Sequence, residues 1–253
     1  MRDPLTCDAI TATFSLFQRA RGHRFSFDDR VTAYVAARVG LASGARRVLD
    51  LGTGIGSVLH MVASSLVSAS FVGIEAQETS FTLLEKNLAH NALGARARAV
   101  FGDLRTETPK LEAGTFDLVT GTPPYLPIGT ATPSPDGQRA AARIELRGGI
   151  EAYLAAAAHA VSPTGTVVVC ADGRTPERTR DAARAAGLVV REVLHVLARE
   201  ANTTPLFSVW TLVPRQLGAE TETEEARALR DTEGNPTPFT HEIVAFFGLD
   251  GGA

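Results

Sequence analysis

From Arg46 onward, short runs of β-branched and aliphatic residues alternate with longer stretches whose apolar positions recur at helical spacing, which predicts βαβ units building a mostly parallel sheet. Seven strands are predicted, at residues 46–51, 70–75, 97–102, 116–121, 166–171, 188–197 and 206–214, the last of them antiparallel. Helices fit between them at residues 57–68, 78–91, 149–160 and 176–186, on both faces of the sheet. Gly94, Gly165 and Gly187 stand where helix ends take glycine. The class is therefore α/β.

Three segments stand outside this rhythm. Residues 123–148 are rich in Pro, Gly, Thr and Ser and are too long for an ordinary strand-to-helix connection, so they are expected to serve function. Residues 218–238 are acidic and are expected to form a mobile excursion before a short apolar tail, residues 239–249, that docks back on the domain. At the other end, Pro4 to Phe17 is expected to be a helical segment covering the ligand pocket. The chain thus divides into an N-terminal helical lid (1–45), a core (46–215) and an acidic extension (216–253).

Composition narrows the class little: with 44% hydrophobic and 21% charged residues, the chain has the make-up of an ordinary globular protein, without an apolar run long enough to span a bilayer. The N-terminal residues lack the pattern of a secretory signal, so a cytoplasmic location is expected. Cys7 and Cys170 have no partners at metal-ligand spacing, which points to free thiols and no metal. Charge is more informative by region than in total. The net value is −3, yet residues 1–49 carry eight Arg against four Asp, and residues 216–253 carry two Arg against eight acids. The arginine-rich end can touch a polyanion; a solvated surface explains it equally well.

Chemistry concentrates at strand ends. Val48-Leu49-Asp50-Leu51-Gly52-Thr53-Gly54-Ile55-Gly56 runs a strand into a glycine-rich turn and then a helix, where glycines let backbone approach a ligand and the helix N-terminus offers free N–H groups. Dinucleotide-binding proteins use a similar turn, but the third glycine at their spacing is missing. Glu75 ends the next strand, where a carboxylate can accept both hydroxyls of a ribose. Asp103 follows the third, where it can accept from an exocyclic adenine amino group. The fourth strand ends in Thr120-Gly121-Thr122-Pro123-Pro124-Tyr125.

Three acids at three consecutive strand ends resemble the S-adenosylmethionine site of class I, Rossmann-like methyltransferases. Thr122-Pro123-Pro124-Tyr125 resembles the Asn/Asp/Ser-Pro-Pro-Tyr/Phe motif of those that methylate planar amino groups of adenine, cytosine or glutamine. Arg19 to Asp28, Ala142 to Glu145 and Leu229 to Thr237 resemble segments of the bacterial tRNA (adenine-N6) methyltransferase family. The resemblance implies a cofactor site at Phe25, Asp50, Gly52, Thr53, Gly54, Gly56, Glu75, Ala76, Gly102, Asp103, Leu104 and Thr122. It implies catalysis by Thr122 and the Pro123 carbonyl, which orient the amine, and by Tyr125, which stacks on the target. Thr122 departs from the motif: Asn or Asp presents an sp² oxygen that accepts, whereas a hydroxyl both donates and accepts. An RNA base such as a tRNA adenine leads as acceptor, with a small metabolite, a protein glutamine or a non-catalytic cofactor-binding module as alternatives.

Overall fold

The computed structural model describes residues 3–130, 132–217 and 222–249. Its centre is a sheet of eight strands: β3 (Arg47–Leu51), β4 (Ser70–Glu75), β5 (Ala97–Phe101), β6 (Phe116–Gly121), β7 (Val161–Ala171), β8 (Leu188–Arg199), β9 (Phe207–Pro214) and β10 (Thr223–Arg230). The spatial order is β10-β8-β9-β7-β6-β3-β4-β5. Pairing is parallel from β5 through to β7, β9 is antiparallel to both of its neighbours, and β10 is parallel to β8. After β3, β4 and β5 the chain returns to the other side of β3 to lay down β6, so a crevice opens between the carboxyl ends of β3 and β6. Open α/β sheets bind ligands at such a switch point.

Helices cover both faces, as their one-sided apolar stripes require. Helices α1 (Phe27–Ser43), α2 (Ser57–Ser65), α3 (Glu78–His90) and α8 (Pro238–Phe246) close one core, in which Val48, Leu118, Val168 and Val209 supply the sheet side. Helices α6 (Ile150–Ala160) and α7 (Pro176–Ala185) close the other, against Leu49, Val119, Val167 and the fully buried Trp210. The short helices α4 (Leu104–Glu107) and α5 (Gly137–Arg143) belong to the ligand side.

The N-terminal expectation fails. Pro4 to Phe17 is not helical: β1 (Leu5–Ala9) and β2 (Ser15–Arg19) form an antiparallel hairpin. Every second residue of β2 is buried, Leu16 and Gln18 among them, and that period of two belongs to a half-buried strand. The Thr11 hydroxyl accepts from the Thr13 and Phe14 N–H groups and closes the turn. The hairpin packs on α3, where the Asn87 amide bonds both the Phe17 N–H and carbonyl.

The acidic excursion contains a strand. Within residues 218–238, residues 218–221 lie outside the described part, but β10 adds an eighth strand at the sheet edge. Its charges concealed it: Glu224, Glu225 and Arg227 are solvated, as edge strands that resist mispairing tend to be. The apolar tail docks as expected, with Phe239 and Phe246 of α8 edge-on to Tyr34 of α1. Among the described residues no helix is long and apolar enough to cross a membrane.

Candidate active site at the carboxyl ends of the strands

An open cleft lies over the carboxyl ends of β3, β4, β5 and β6. It is bounded by the glycine turn, Glu75 to Gln77, Gly102 to Leu104, Thr122 and Pro124, and roofed by His23, Phe25, Gln138 and Arg147. The turn is shaped by glycines with positive φ at 52, 54 and 56. Gly54 matters most for a ligand: a Cβ there would meet nothing within 4 Å, so its backbone faces open space. Glu75 fixes the turn, since its carboxylate accepts from the Gly54 N–H at 2.9 Å and the Gln77 N–H at 2.6 Å. Burial pushes the Glu75 carboxyl above its ordinary range, and these main-chain donors oppose the shift.

Of the residues expected to hold a cofactor, Phe25, Gly52, Thr53, Gly54, Glu75, Ala76, Gly102, Asp103, Leu104 and Thr122 line this cleft; Asp50 and Gly56 do not. Asp50 lies beneath the turn, 2% exposed, accepting from the Thr53 hydroxyl at 2.5 Å and the Thr120 hydroxyl at 2.7 Å. It shapes the turn from below. Gly56 packs against His60 and Leu84 at the N-cap of α2. Asp103 caps α4 through the Arg105 N–H and pairs with the Arg105 guanidinium at 2.7 Å, which holds its carboxyl below the usual range.

The β6 side is built differently. Thr122 reaches the cleft and donates its hydroxyl to Asp29 Oδ1 at 3.3 Å. Pro123 is buried and Tyr125 half-buried, and neither lines the cleft. The Tyr125 hydroxyl points inward, 2.6 Å from Cys170 Sγ, and donates to Asp28 Oδ2 at 3.1 Å. Burial, with Cys170 and Asp28 beside it, pushes the Tyr125 hydroxyl well above its ordinary range. The loop after Tyr125 folds back on itself, with Leu126 bonded to the Arg143 carbonyl and to the Glu145 N–H, and holds α5 over the cleft.

A methyltransferase-domain family profile matches residues 48–135, from β3 through Thr122-Pro123-Pro124-Tyr125. The chain is 29% identical over 153 residues to the tRNA1(Val) (adenine(37)-N6)-methyltransferase of Bacteroides fragilis, covering 60% of this chain and 63% of that protein. The protein of the same name from Tolumonas auensis is 29% identical over 196 residues, 77% of this chain and 78% of its own length. Among solved structures, a predicted O-methyltransferase of Agrobacterium tumefaciens superposes with a TM-score of 0.64 at 18% identity, covering 88% of this chain and 98% of its own. These matches support a methyltransferase of the class I, S-adenosylmethionine-dependent kind, of which residues 48–135 carry the matched domain.

This methyltransferase presents a cleft suited to the family's cofactor. The open backbone at Gly54 leaves room at the turn, and Glu75 and Asp103 offer acceptors one and two strands further along. Several lining residues escaped the sequence reading. Tyr153 of α6 rises beneath Gly52 and Gly121, and a Cβ on either glycine would collide with it, which explains why both positions are glycine. Gln138, 2% exposed, bonds Ser80 at 3.1 Å and ties α5 to α3. His23 has its imidazole held below the usual range by burial. Asp29 is the largest omission, because nothing in its local sequence connects it with Thr122, ninety-three residues on. The Ser-x-x-Asp capping pattern at Ser26 was the one available signal, and it explains the helix start alone.

Proposed function

We propose that this methyltransferase transfers the methyl group of S-adenosylmethionine to a planar amino nitrogen, with an RNA base as the acceptor. The observation that carries this reading is placement: Thr122 of the Thr-Pro-Pro-Tyr motif opens onto the same cleft as Glu75 and Asp103, from the opposite side of the glycine turn. The cofactor supplies a methyl group already activated by a sulfonium leaving group. Thr122, the motif residue in the cleft wall, accepts a hydrogen bond from the target amine and turns its lone pair toward the methyl carbon; Pro123 and Tyr125, outside the cleft wall, fix the loop that carries it. When bound, the cofactor would offer its methyl carbon to the oriented amine lone pair, its sulfur keeping the electrons of the C–S bond given up, and the amine proton would pass to solvent. Positioning two reactants in line supplies much of the rate, so no further acid or base is needed.

Arginines around the cleft mouth favour a polyanion. Arg21, Arg143 and Arg147 are exposed, and among the described residues none of them forms an ion pair. Arg19 and Arg24, in contrast, are engaged by Asp3, Asp136 and Asp8. The relatives named above act on tRNA by their names. The test is to incubate the purified chain with methyl-labelled S-adenosylmethionine and RNA from cells lacking the gene, then digest the RNA to nucleosides for mass spectrometry. An N-methylated base is expected. Label on carbon or oxygen, or none in RNA, overturns the reading.

A further inference from the structure

Asp29 is a buried carboxyl at the cleft that accepts from Ser26 and Ser57 as part of the start of α1 and, beyond that, faces Thr122. It stands in the first turn of α1, 7% exposed. Its Oδ2 accepts the Ser26 N–H at 3.2 Å, which fixes the side chain as the cap of the helix. Its Oδ1 has the Thr122 hydroxyl at 3.3 Å and lies at the cleft wall. No cationic side chain pairs with it among the described residues, and Asp28 next to it adds a second negative group. A buried carboxylate without a cation is costly unless a ligand brings one, or brings hydrogen-bond donors.

The strand order says which part of a ligand that is. Glu75 and Asp103 follow β4 and β5 on one side of the glycine turn, whereas Thr122 follows β6 on the other. Asp29 touches the β6 side, beside the motif residue proposed to hold the target amine. Thr122 at the head of the motif lacks the sp² oxygen that Asn or Asp would provide, and Asp29 Oδ1 lies beside its hydroxyl. We infer that Asp29 is a catalytic residue that supplies the missing acceptor: one carboxylate oxygen takes the Thr122 hydroxyl hydrogen and stands ready to take a hydrogen of the target amine. The divided site, hydroxyl from the motif and carboxylate from α1, replaces the single Asn or Asp side chain. This rests on the reading of the cleft as an amino-methyltransferase site.

Two cofactor analogues separate the possibilities without the true substrate. S-adenosylhomocysteine carries the amino-acid end, ribose and adenine but nothing at the methyl position. Sinefungin carries the same three parts and an amine where the methyl group would be. Calorimetry on the parent and on Asp29→Asn and Asp29→Ala is expected to show sinefungin weakened about tenfold or more, the scale of one charge-assisted hydrogen bond, with S-adenosylhomocysteine within about twofold of the parent. Retained S-adenosylhomocysteine binding also shows that the variants fold. Equal losses for both analogues would mean that Asp29 holds the amino-acid end, and unchanged binding of both would mean that it faces neither group; each overturns the inference while leaving the cofactor reading intact. If neither analogue binds the parent protein, the cofactor reading itself falls, and the inference with it.

Discussion

The two halves of the cleft are held together by different means. On the cofactor side each contact is short in sequence: the Gly54 N–H meets Glu75 twenty-one residues later, Gln77 bonds Glu75 two residues away, and Asp103 caps the helix that follows it. On the acceptor side Thr122 meets Asp29 and Tyr125 meets Asp28 across more than ninety residues. The carboxylates differ too. Main-chain donors hold Glu75, so its burial is compensated by groups that cannot move away. Asp29 is buried beside a second carboxylate, and desolvation first, then that neighbour's charge, pushes its carboxyl up to about 8. One half is preorganised at little cost; the other holds a buried carboxyl far from its ordinary ionised form, and strongly perturbed titratable groups in a cleft are typical of functional sites.

Breaking the cofactor half should give the largest effect. Glu75→Ala removes the acceptor at the ribose position and frees the Gly54 N–H that shapes the turn, so S-adenosylhomocysteine affinity is expected to fall about a hundredfold, on the order of two lost charge-assisted hydrogen bonds. Titration calorimetry measures it. An affinity within threefold of the parent would show that the half is held by the glycine backbone alone.

Asp50 tests the same half from beneath. Because it lies under the turn, Asp50→Ala is expected to act first on stability: two buried threonine hydroxyls lose their acceptor, at a cost of about 2–3 kcal/mol. Denaturant unfolding gives the value, and cofactor affinity should fall less than in Glu75→Ala. A normal midpoint combined with lost binding would return Asp50 to the role its motif position suggested.

The same division explains what the sequence could tell. The strand ends of the cofactor half are read from alternation and glycines within some fifty residues, and from β3 to β9 the elements lie within a few residues of the expected ones. The exceptions are the short helices α4 and α5, which are not among the expected elements and which Asp103 and Asp136 cap. The other misses depend on partners distant in the chain. The β1–β2 hairpin is a strand pair because α3 offers Asn87 and Asn91 to it. β10 is a strand because β8 presents a free edge. Asp29 is a site residue because folding brings it to Thr122. Local periodicity carries no term for any of these.

Asp29 sharpens the comparison through pH. Its carboxyl moves from 3.8 to about 8 on folding, so the native state keeps a proton that the unfolded chain releases between those values. Protein stability should therefore decline as pH rises through that window. Asp29→Asn keeps the shape of the protonated acid and should remove this part of the slope, raising stability at pH 8 while leaving pH 4 nearly unchanged. Thermal melts across the range check it. A variant with the parent's slope would show that Asp29 is ionised in the folded protein.

The smallest expected effect separates the ring of Tyr125 from its hydroxyl. The hydroxyl is committed inward, to Asp28 on α1 and beside Cys170 on β7, so it acts as a fastener between the acceptor loop and the helix that carries Asp29. Tyr125→Phe removes the fastener and leaves the ring, and should cost about 1 kcal/mol of stability, the net worth of one ordinary hydrogen bond. If the ring backs the target plane, turnover in that variant should stay within about threefold of the parent. Tyr125→Leu, which keeps apolar bulk without the flat face, should lose about tenfold more, since stacking on an aromatic ring contributes about 1–3 kcal/mol per base. The pair of variants is decisive because stacking predicts unequal losses and the hydroxyl role equal ones. If Phe and Leu lose turnover equally, the hydroxyl's hold on α1 is what the acceptor half needs, and the stacking role passes to another ring at the cleft, with Phe25 the candidate already in its wall.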